Sequence, residues 1–414
     1  MPSPVFVLGG AQTDFAQSWS RDGKDVTAMM GAALAGAFED TGLSSADIES
    51  AHVGNFCGEL FTGQGHLGGA LSVAEPGLYG VPAARHEAAC ASGSVALLAA
   101  SAEIEAGRYE CVLVVGAEME RNVPGADAAR HLGSAAWVGH DALGAKYVWP
   151  FLFSEIAGEY ERRYGELRYE HLAAIARKNL ENARRNPLAQ TRGWRYTDAS
   201  FTEDDEHNPV VEGRLRRQDC GQVTDGAAAV LLASARFAET WARARGLSLD
   251  AIPRILGWGH HTVCLGYAEK LRRSANEALV FPHVKRAIDD AFRRARIADV
   301  WGVDAIETHD CFSMSEYLAI DHFGITAAGE SWKAIVSGDL AFGGRLPVNP
   351  SGGLIGGGHP VGATGVRMVH DAAKQVRGTA GAMQVEGARR VATLNIGGST
   401  TTTVAFVIGT GGAS

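Results

Sequence analysis

The sequence predicts an α/β protein built from two similar halves. Three observations carry that expectation. Short apolar runs of strand length alternate with segments of helical period, the rhythm of α/β proteins. A small-residue turn bearing a reactive side chain, then a buried helix, a glycine stop and an apolar strand, occurs around Cys90 and again around His359. The 52 glycines, many beside apolar runs, suit tight strand-to-helix turns and close backbone approaches to a ligand. A site at the pseudo-twofold axis of such a fold would receive one loop from each half.

Taken in order, residues 4–9 form a short apolar run ended by Gly9-Gly10, a buried strand. Val26, Met29, Met30, Ala33, Leu34, Ala37 and Phe38 recur at helical spacing, and Gly42 follows as a stop. Ser44-x-x-Asp47 has the form of a capping box that opens a short helix. Residues 48–55 read as a strand. Glu87-Ala88-Ala89-Cys90-Ala91-Ser92-Gly93 then leads into good helix formers over 95–106, apolar on most sides, with Gly107 as a stop. Residues 111–116 are a continuous apolar run of strand length. Around Glu120 the texture changes. Residues 120–220 are richer in charge, Arg, Tyr and Trp, and read as an insertion in the first half. Within it, 155–185 reads as one amphipathic helix broken by Asn186-Pro187, and 191–208 is polar and irregular. Asp225-Gly226-Ala227 returns to buried α/β texture. The second half supplies a strand at 255–260, an amphipathic helix at 278–295 and a strand at 303–309. A glycine-rich turn at 356–365 follows, then a helix to 376 and a strand at 390–396. The halves are expected to span 1–250 and 251–414.

Composition narrows the function. With 46% hydrophobic and 21% charged residues the chain is ordinary globular protein. A net charge of −9 argues against nucleic acid as a partner. Cys57, Cys90, Cys111, Cys220, Cys264 and Cys311 form no C-x-x-C pair, so reduced thiols in a cytoplasmic protein are expected, with no metal site. Residues 1–13 lack the basic start of a signal peptide, and no apolar run reaches the roughly 18 residues of a membrane span. The ending Gly-Gly-Ala-Ser carries no peroxisomal address. Gly356-Gly357-Gly358 lacks the Gly-Lys-Ser/Thr ending of a phosphate loop.

Four side chains carry candidate chemistry. Cys90 falls at or just before a helix N-terminus, where unpaired N–H groups and the helix dipole favour a thiolate nucleophile. The alternative is a packed core cysteine. His309 and Cys311 lie in Glu307-Thr308-His309-Asp310-Cys311-Phe312, just after a strand, and His359 lies in Gly358-His359-Pro360. Each alone suits a structural role; together they occupy matching turns of a duplicated fold.

At these residues the chain resembles the thiolase superfamily, and within it the sterol-carrier-protein-type thiolases. The resemblance spans essentially the whole chain. It rests on Cys90-Ala91-Ser92-Gly93, Asp225-Gly226-Ala227, His309-Asp310-Cys311-Phe312, Asn349-Pro350-Ser351-Gly352-Gly353 and Gly358-His359-Pro360. It implies the thiolase fold: two βαβαβαββ halves in an αβαβα five-layer sandwich, with a loop domain inserted in the first half. It implies that Cys90 takes an acyl group from acyl-CoA as a thioester, that His359 accepts the Cys90 proton, and that His309 and His359 both present N–H to an enolate oxygen. The backbone N–H of Cys90 and that of Gly397 would hold the other oxyanion. No cofactor is implied beyond the coenzyme A thioester that is the substrate. Acyl-CoA and CoA are the implied ligands, a homodimer or dimer of dimers the implied assembly. The best-known thiolases carry a second cysteine near the C-terminus, where this chain has Asn395. An amide does not shuttle protons in this pH range. In the sterol-carrier-protein-type group the cysteine moves to the His-Asp-Cys-Phe loop, which makes Cys311 the second acid/base and a loss of Asn395 mild. Glu87 replaces a common Asn, and a carboxylate bonded to turn N–H groups is expected there. Two other readings stand beside the acyltransferase: a non-catalytic subunit binding acyl-CoA or lipid, and a retro-aldol lyase working with a small OB-fold partner. Relatives with the latter activity tend to lack the nucleophilic cysteine.

Overall fold

β1 (Val5–Gln12) and the strand Gly226–Ser234 pair antiparallel on the side of the first half that meets the second. Instead of ending at Gly9-Gly10, as the run length predicts, β1 continues through both glycines. They absorb a register shift between Val7 and Gly9, a bulge that keeps the ladder in step. The computed structural model describes residues 3–165 and 167–411; residues 412–414, most of the Gly-Gly-Ala-Ser ending, lie outside these.

The remaining strands of the main sheet follow in chain order. They are β2 (Ser50–Gly54), β3 (Ala83–His86), β4 (Cys111–Glu118), β5 (Gly226–Ser234), β6 (Arg254–Thr262), β7 (Ala305–Thr308), β8 (Arg390–Gly397) and β9 (Thr402–Gly409). Their spatial order is β3-β2-β4-β5-β1-β6-β9-β8-β7. In the first half β2 lies parallel to β3 and β4, and β5 antiparallel to β4 and β1. The second half repeats this. β7 is parallel to β8, β9 is antiparallel to β8 and β6, and an isolated parallel bridge from Ile306 to Val348 stands where β3 stands. The duplication read from two turns is thus a duplication of strand order. A single bridge, Phe6 to Arg254, joins the halves edge to edge.

Helices α1 (Val26–Thr41), α2 (Ser92–Glu105), α3 (Val148–Tyr164), α4 (Tyr169–Ala183), α5 (Pro282–Ala295), α6 (Ser313–Phe323) and α7 (Thr364–Arg377) complete the layers. α1 buries Met29, Met30, Ala33 and Leu34 on the outer face of the first sheet, ends at left-handed Gly42, and is capped by Asp25. Each such large side chain contributes about 1.5–3 kcal/mol by leaving water. α2 and α7 fill the middle layer, where Leu97, Ile104, Val366 and Val369 meet strands of both halves. α5 and α6 cover the outer face of the second sheet. The result is the five-layer αβαβα sandwich. α2 begins at Ser92, three residues earlier than its helix formers predict, because Ser92 Oγ both accepts the Ala88 N–H and donates to the Ala89 carbonyl.

Residues 119–225 pass over the second sheet between β4 and β5. The single helix expected over 155–185 is two helices, α3 and α4, since α3 stops at Gly165, whose φ of +99° a side chain resists. Among the described residues no helix is long and apolar enough to cross a membrane.

Candidate active site

Cys90 sits on the turn between β3 and α2. Ala89 just before it adopts a φ of +50°, which costs about 1–2 kcal/mol for a residue with a Cβ. The turn is held by Ser92 and by Glu87, whose carboxylate accepts the Ala89 N–H at 2.6 Å, the bond expected of it. His359 occupies the equivalent turn before α7. The two turns meet because glycines line their contact: a Cβ at Gly93 would lie 2.6 Å from the Gly362 carbonyl oxygen.

His309 and Cys311 follow β7, and the Asn349-Pro350-Ser351-Gly352-Gly353 stretch braces them. Asn349 Oδ1 accepts the Thr308 N–H, Ser351 bonds to Glu307, and Asp310 accepts the N–H groups of Leu354 and Ile355. Asp225 plays the same part in the first half, accepting the N–H groups of Trp19, Glu120 and Arg121. These motif residues position the site and do not line it.

Cys90, His309, Cys311 and His359 all line one small cavity. The Cys90 sulfur and one ring nitrogen of each histidine lie within 4.8 Å of one another. Cys311 faces the same cavity from outside that triangle, its sulfur 3.6 Å from Ser315 Oγ. Trp149, Phe153 and Val223 of the inserted segment give the cavity an apolar wall.

The two histidines are held in opposite tautomers. Thr364 Oγ1 donates its only proton to the Pro360 carbonyl, so it accepts from Nδ1–H of His359 at 2.7 Å. Nε2 of His359 then carries a lone pair, and it is buried with no partner among the described residues. His309 is the reverse. Ser94 Oγ donates to Asn395 Oδ1, which turns the Asn395 amide N–H onto Nδ1 of His309 at 3.2 Å. Nε2 of His309 must therefore bear the proton. One ring can take a proton at the sulfur and the other can donate one.

Burial decides the charge states. It drives the His359 ring down to about 3 and that of His309 well below the usual histidine value, so both are neutral at pH 7. It also pushes the Cys90 thiol up to about 12, with Glu120 adding to the rise. The thiolate expected from the helix N-terminus is therefore not the resting form. The N–H groups of Cys90 and Gly398 favour it, but loss of water outweighs them. Cys311 is also raised well above the ordinary thiol value, by burial and then by Cys90. Alkylation of Cys90 by iodoacetamide in the free enzyme should rise about tenfold per pH unit, without levelling, over roughly pH 6 to 9. A plateau near neutrality would show a resting thiolate.

The backbone N–H that faces the Cys90 sulfur belongs to Gly398, one residue beyond the Gly397 read from the sequence. Gly397 is the last residue of β8, opposite Thr402. It serves close approach, since a Cβ there would lie 2.2 Å from the Ala88 carbonyl oxygen. Two acids escaped the sequence reading. Glu118 accepts N–H bonds from Phe56, Cys57 and Gly362, and Glu120, on the cavity wall, accepts that of Val361. They tie the end of β4 to the residues just after His359. Burial raises Glu118 to about 7 and Glu120 well above the carboxylate range, where Glu118 repels it further. The one signal was Glu118-x-Glu120, two acids at the spacing of one strand face at the end of an apolar run.

Comparisons with known proteins agree with this geometry. Residues 5–191 match the family model for the thiolase N-terminal domain, and residues 267–410 match the thiolase C-terminal domain-like model. This chain belongs to the thiolase family. A thiolase relative, the acetyl-CoA acetyltransferase of Methanothermobacter thermautotrophicus, is 33% identical over 95% of this chain and 96% of its own. Sterol carrier protein 2 of Oryctolagus cuniculus is 31% identical over 95% of this chain and 70% of its own. Among solved structures, the Ltp2-ChsH2(DUF35) aldolase superposes with a TM-score of 0.76 at 22% identity, covering 99% of this chain and 98% of that one. Human mitochondrial 3-ketoacyl-CoA thiolase gives 0.66 at 18% identity, covering 99% of both chains. At these identities the structures show that the thiolase fold is shared.

Proposed function

We propose that this thiolase-family chain is an acyl-CoA C-acyltransferase that forms or cleaves 3-ketoacyl-CoA through an acyl thioester on Cys90. The observation that carries the reading is one sulfur within 4.8 Å of a ring nitrogen of each of two histidines, whose hydrogen bonds favour opposed tautomers. Nε2 of His359 takes the Cys90 proton as the sulfur attacks the thioester carbonyl. The N–H groups of Cys90 and Gly398 hold the oxyanion, and the CoA thiolate leaves with the Cys311 proton, which makes Cys311 a thiolate. Acetyl-CoA then binds, Nε2–H of His309 holds its thioester oxygen, and the Cys311 thiolate takes the α-proton to form the enolate. The enolate attacks the acyl carbon, the Cys90 sulfur leaves and takes back the proton that His359 held; thiolysis runs the same steps backwards. The test is kinetic: a covalent acyl-enzyme requires ping-pong behaviour with acyl-CoA and CoA. Dependence on a ternary complex would exclude it.

Asn395 has a positioning role that its lack of a titratable proton had hidden, and a second variant separates that role from the mild loss expected of Asn395→Ala. It holds His309 in the Nε2–H form. Asn395→Asp would accept from Nδ1–H instead and leave a lone pair facing the substrate oxygen. That variant should lose about 100- to 1000-fold in α-proton exchange of acetyl-CoA, the cost of one oxyanion donor. Asn395→Ala, which leaves the ring free to choose, should lose less. The reverse order would break the tautomer assignment.

The six cysteines are unpaired, which supports a reducing, cytoplasmic setting; the proposed acyl-CoA chemistry would place the protein in lipid metabolism. Among the described residues β3 pairs only with β2, and exposed Val73 and Tyr79 lie nearby in the sequence, which supports a homodimer formed at this edge. A monomer in sedimentation analysis would rule that out. The Ltp2-ChsH2(DUF35) aldolase shares this fold, so the lyase reading with a small partner stands as the alternative. Cys90 with a free base beside it favours acyl transfer over that chemistry.

A further inference from the structure

Gly398 opens the turn Gly398–Thr401 between β8 and β9, and this turn is strained. Thr400 holds a φ of +64°, a conformation that a β-branched side chain resists, and its N–H bonds back to the Gly398 carbonyl at 2.9 Å. Two buried bases grip the turn from its far side. The Lys270 ammonium, on the short helix Tyr267–Arg273, donates to the Ser399 carbonyl at 2.6 Å, to Ser399 Oγ at 2.7 Å and to Thr401 Oγ1 at 2.7 Å. Nε2 of His283, on α5, bonds to the carbonyl and hydroxyl of Thr400. Lys270 is 4% exposed, and among the described residues no carboxylate lies within ion-pair distance of it. An unpaired buried cation is costly, and a neutral side chain would fill the space more cheaply. Burial lowers the ammonium to about 8, so at neutral pH it keeps its charge and all three donors.

We propose that Lys270 is a positioning residue for the oxyanion site: it pins the strained Gly398–Thr401 turn so that the Gly398 N–H faces the Cys90 sulfur. The catalytic half of the inference rests on the acyltransferase reading; the effect on the sulfur does not. Lys270→Met should lower kcat for acetoacetyl-CoA thiolysis about 10- to 100-fold while KM stays within about threefold. It should also slow iodoacetamide alkylation of Cys90 about tenfold at fixed pH, because the N–H that favours the thiolate is no longer held there. If the wild type shows no thiolysis, the acyltransferase reading fails, and alkylation alone decides on Lys270. A melting curve establishes that the variant folds. If it does not, the double variant Ser399→Ala, Thr401→Val keeps the lysine, removes two of its three acceptors and should show the same two losses. A folded variant with kcat and alkylation within twofold of wild type would overturn the proposal. So would a raised KM at unchanged kcat, which would mark a substrate contact instead.

Discussion

Replacing Cys90 with alanine is expected to reduce acyl transfer by about 10⁴-fold or more and to leave the fold intact. The loss follows from what the sulfur does: His309 and His359 can place and move protons around it, but neither is set to carry the acyl group. The fold survives because the Cys90 turn is held by other atoms. Ser92 Oγ bonds to Ala88 and Ala89, Glu87 bonds to the Ala89 N–H, and the Ala91 N–H bonds to the Ala88 carbonyl. Cys90 is only partly buried, and alanine is smaller, so nothing must move to admit it. Thiolysis rate and thermal melting check the two halves of the statement. A folded variant with more than about one per cent of wild-type rate would mean that another group accepts the acyl chain.

Cys311→Ser should separate the two steps. Serine keeps the contact with Ser315 Oγ and the shape of the loop, so Cys90 should still be acylated within about threefold of the normal rate. A serine hydroxyl is too weak an acid to stand in for a thiol, so turnover and α-proton exchange should fall about 10²- to 10⁴-fold. A burst of CoA release without sustained turnover is the expected trace. Normal turnover would remove Cys311 from the mechanism. That chemistry would then need another group, and Glu120, the buried acid on the same cavity wall, would be the next to test.

The candidate site was legible in the chain because its side chains sit on short motifs that repeat. Cys90 and His359 stand at the same place in two halves, and the cavity brings them together with His309 and Cys311. What the sequence hid was set by tertiary contact. A helix N-terminus predicts a thiolate at Cys90, yet the surrounding burial, which no local pattern reveals, keeps the proton on. Gly397 and Gly398 are adjacent and alike in sequence; only the pairing of β8 with β9 shows which one is left facing the sulfur. Asn395 reads as a lost cysteine until Ser94, about 300 residues away in the chain, turns its amide toward His309. Lys270 sits in an otherwise charged, exposed-looking helix, and its burial under the Gly398–Thr401 turn appears only in the folded chain. The split of the 155–185 helix at Gly165 was open to a stricter reading of that glycine.

The most direct test of the account is to find where the acyl group goes. Wild-type protein is incubated briefly with acetyl-CoA, quenched in acid, digested and mapped by mass spectrometry. The account predicts a single acetyl group on the peptide that contains Cys90, removed when CoA is added before the quench. An acetyl group on Cys311 or elsewhere, or none at all from a protein that turns over acyl-CoA, would contradict it.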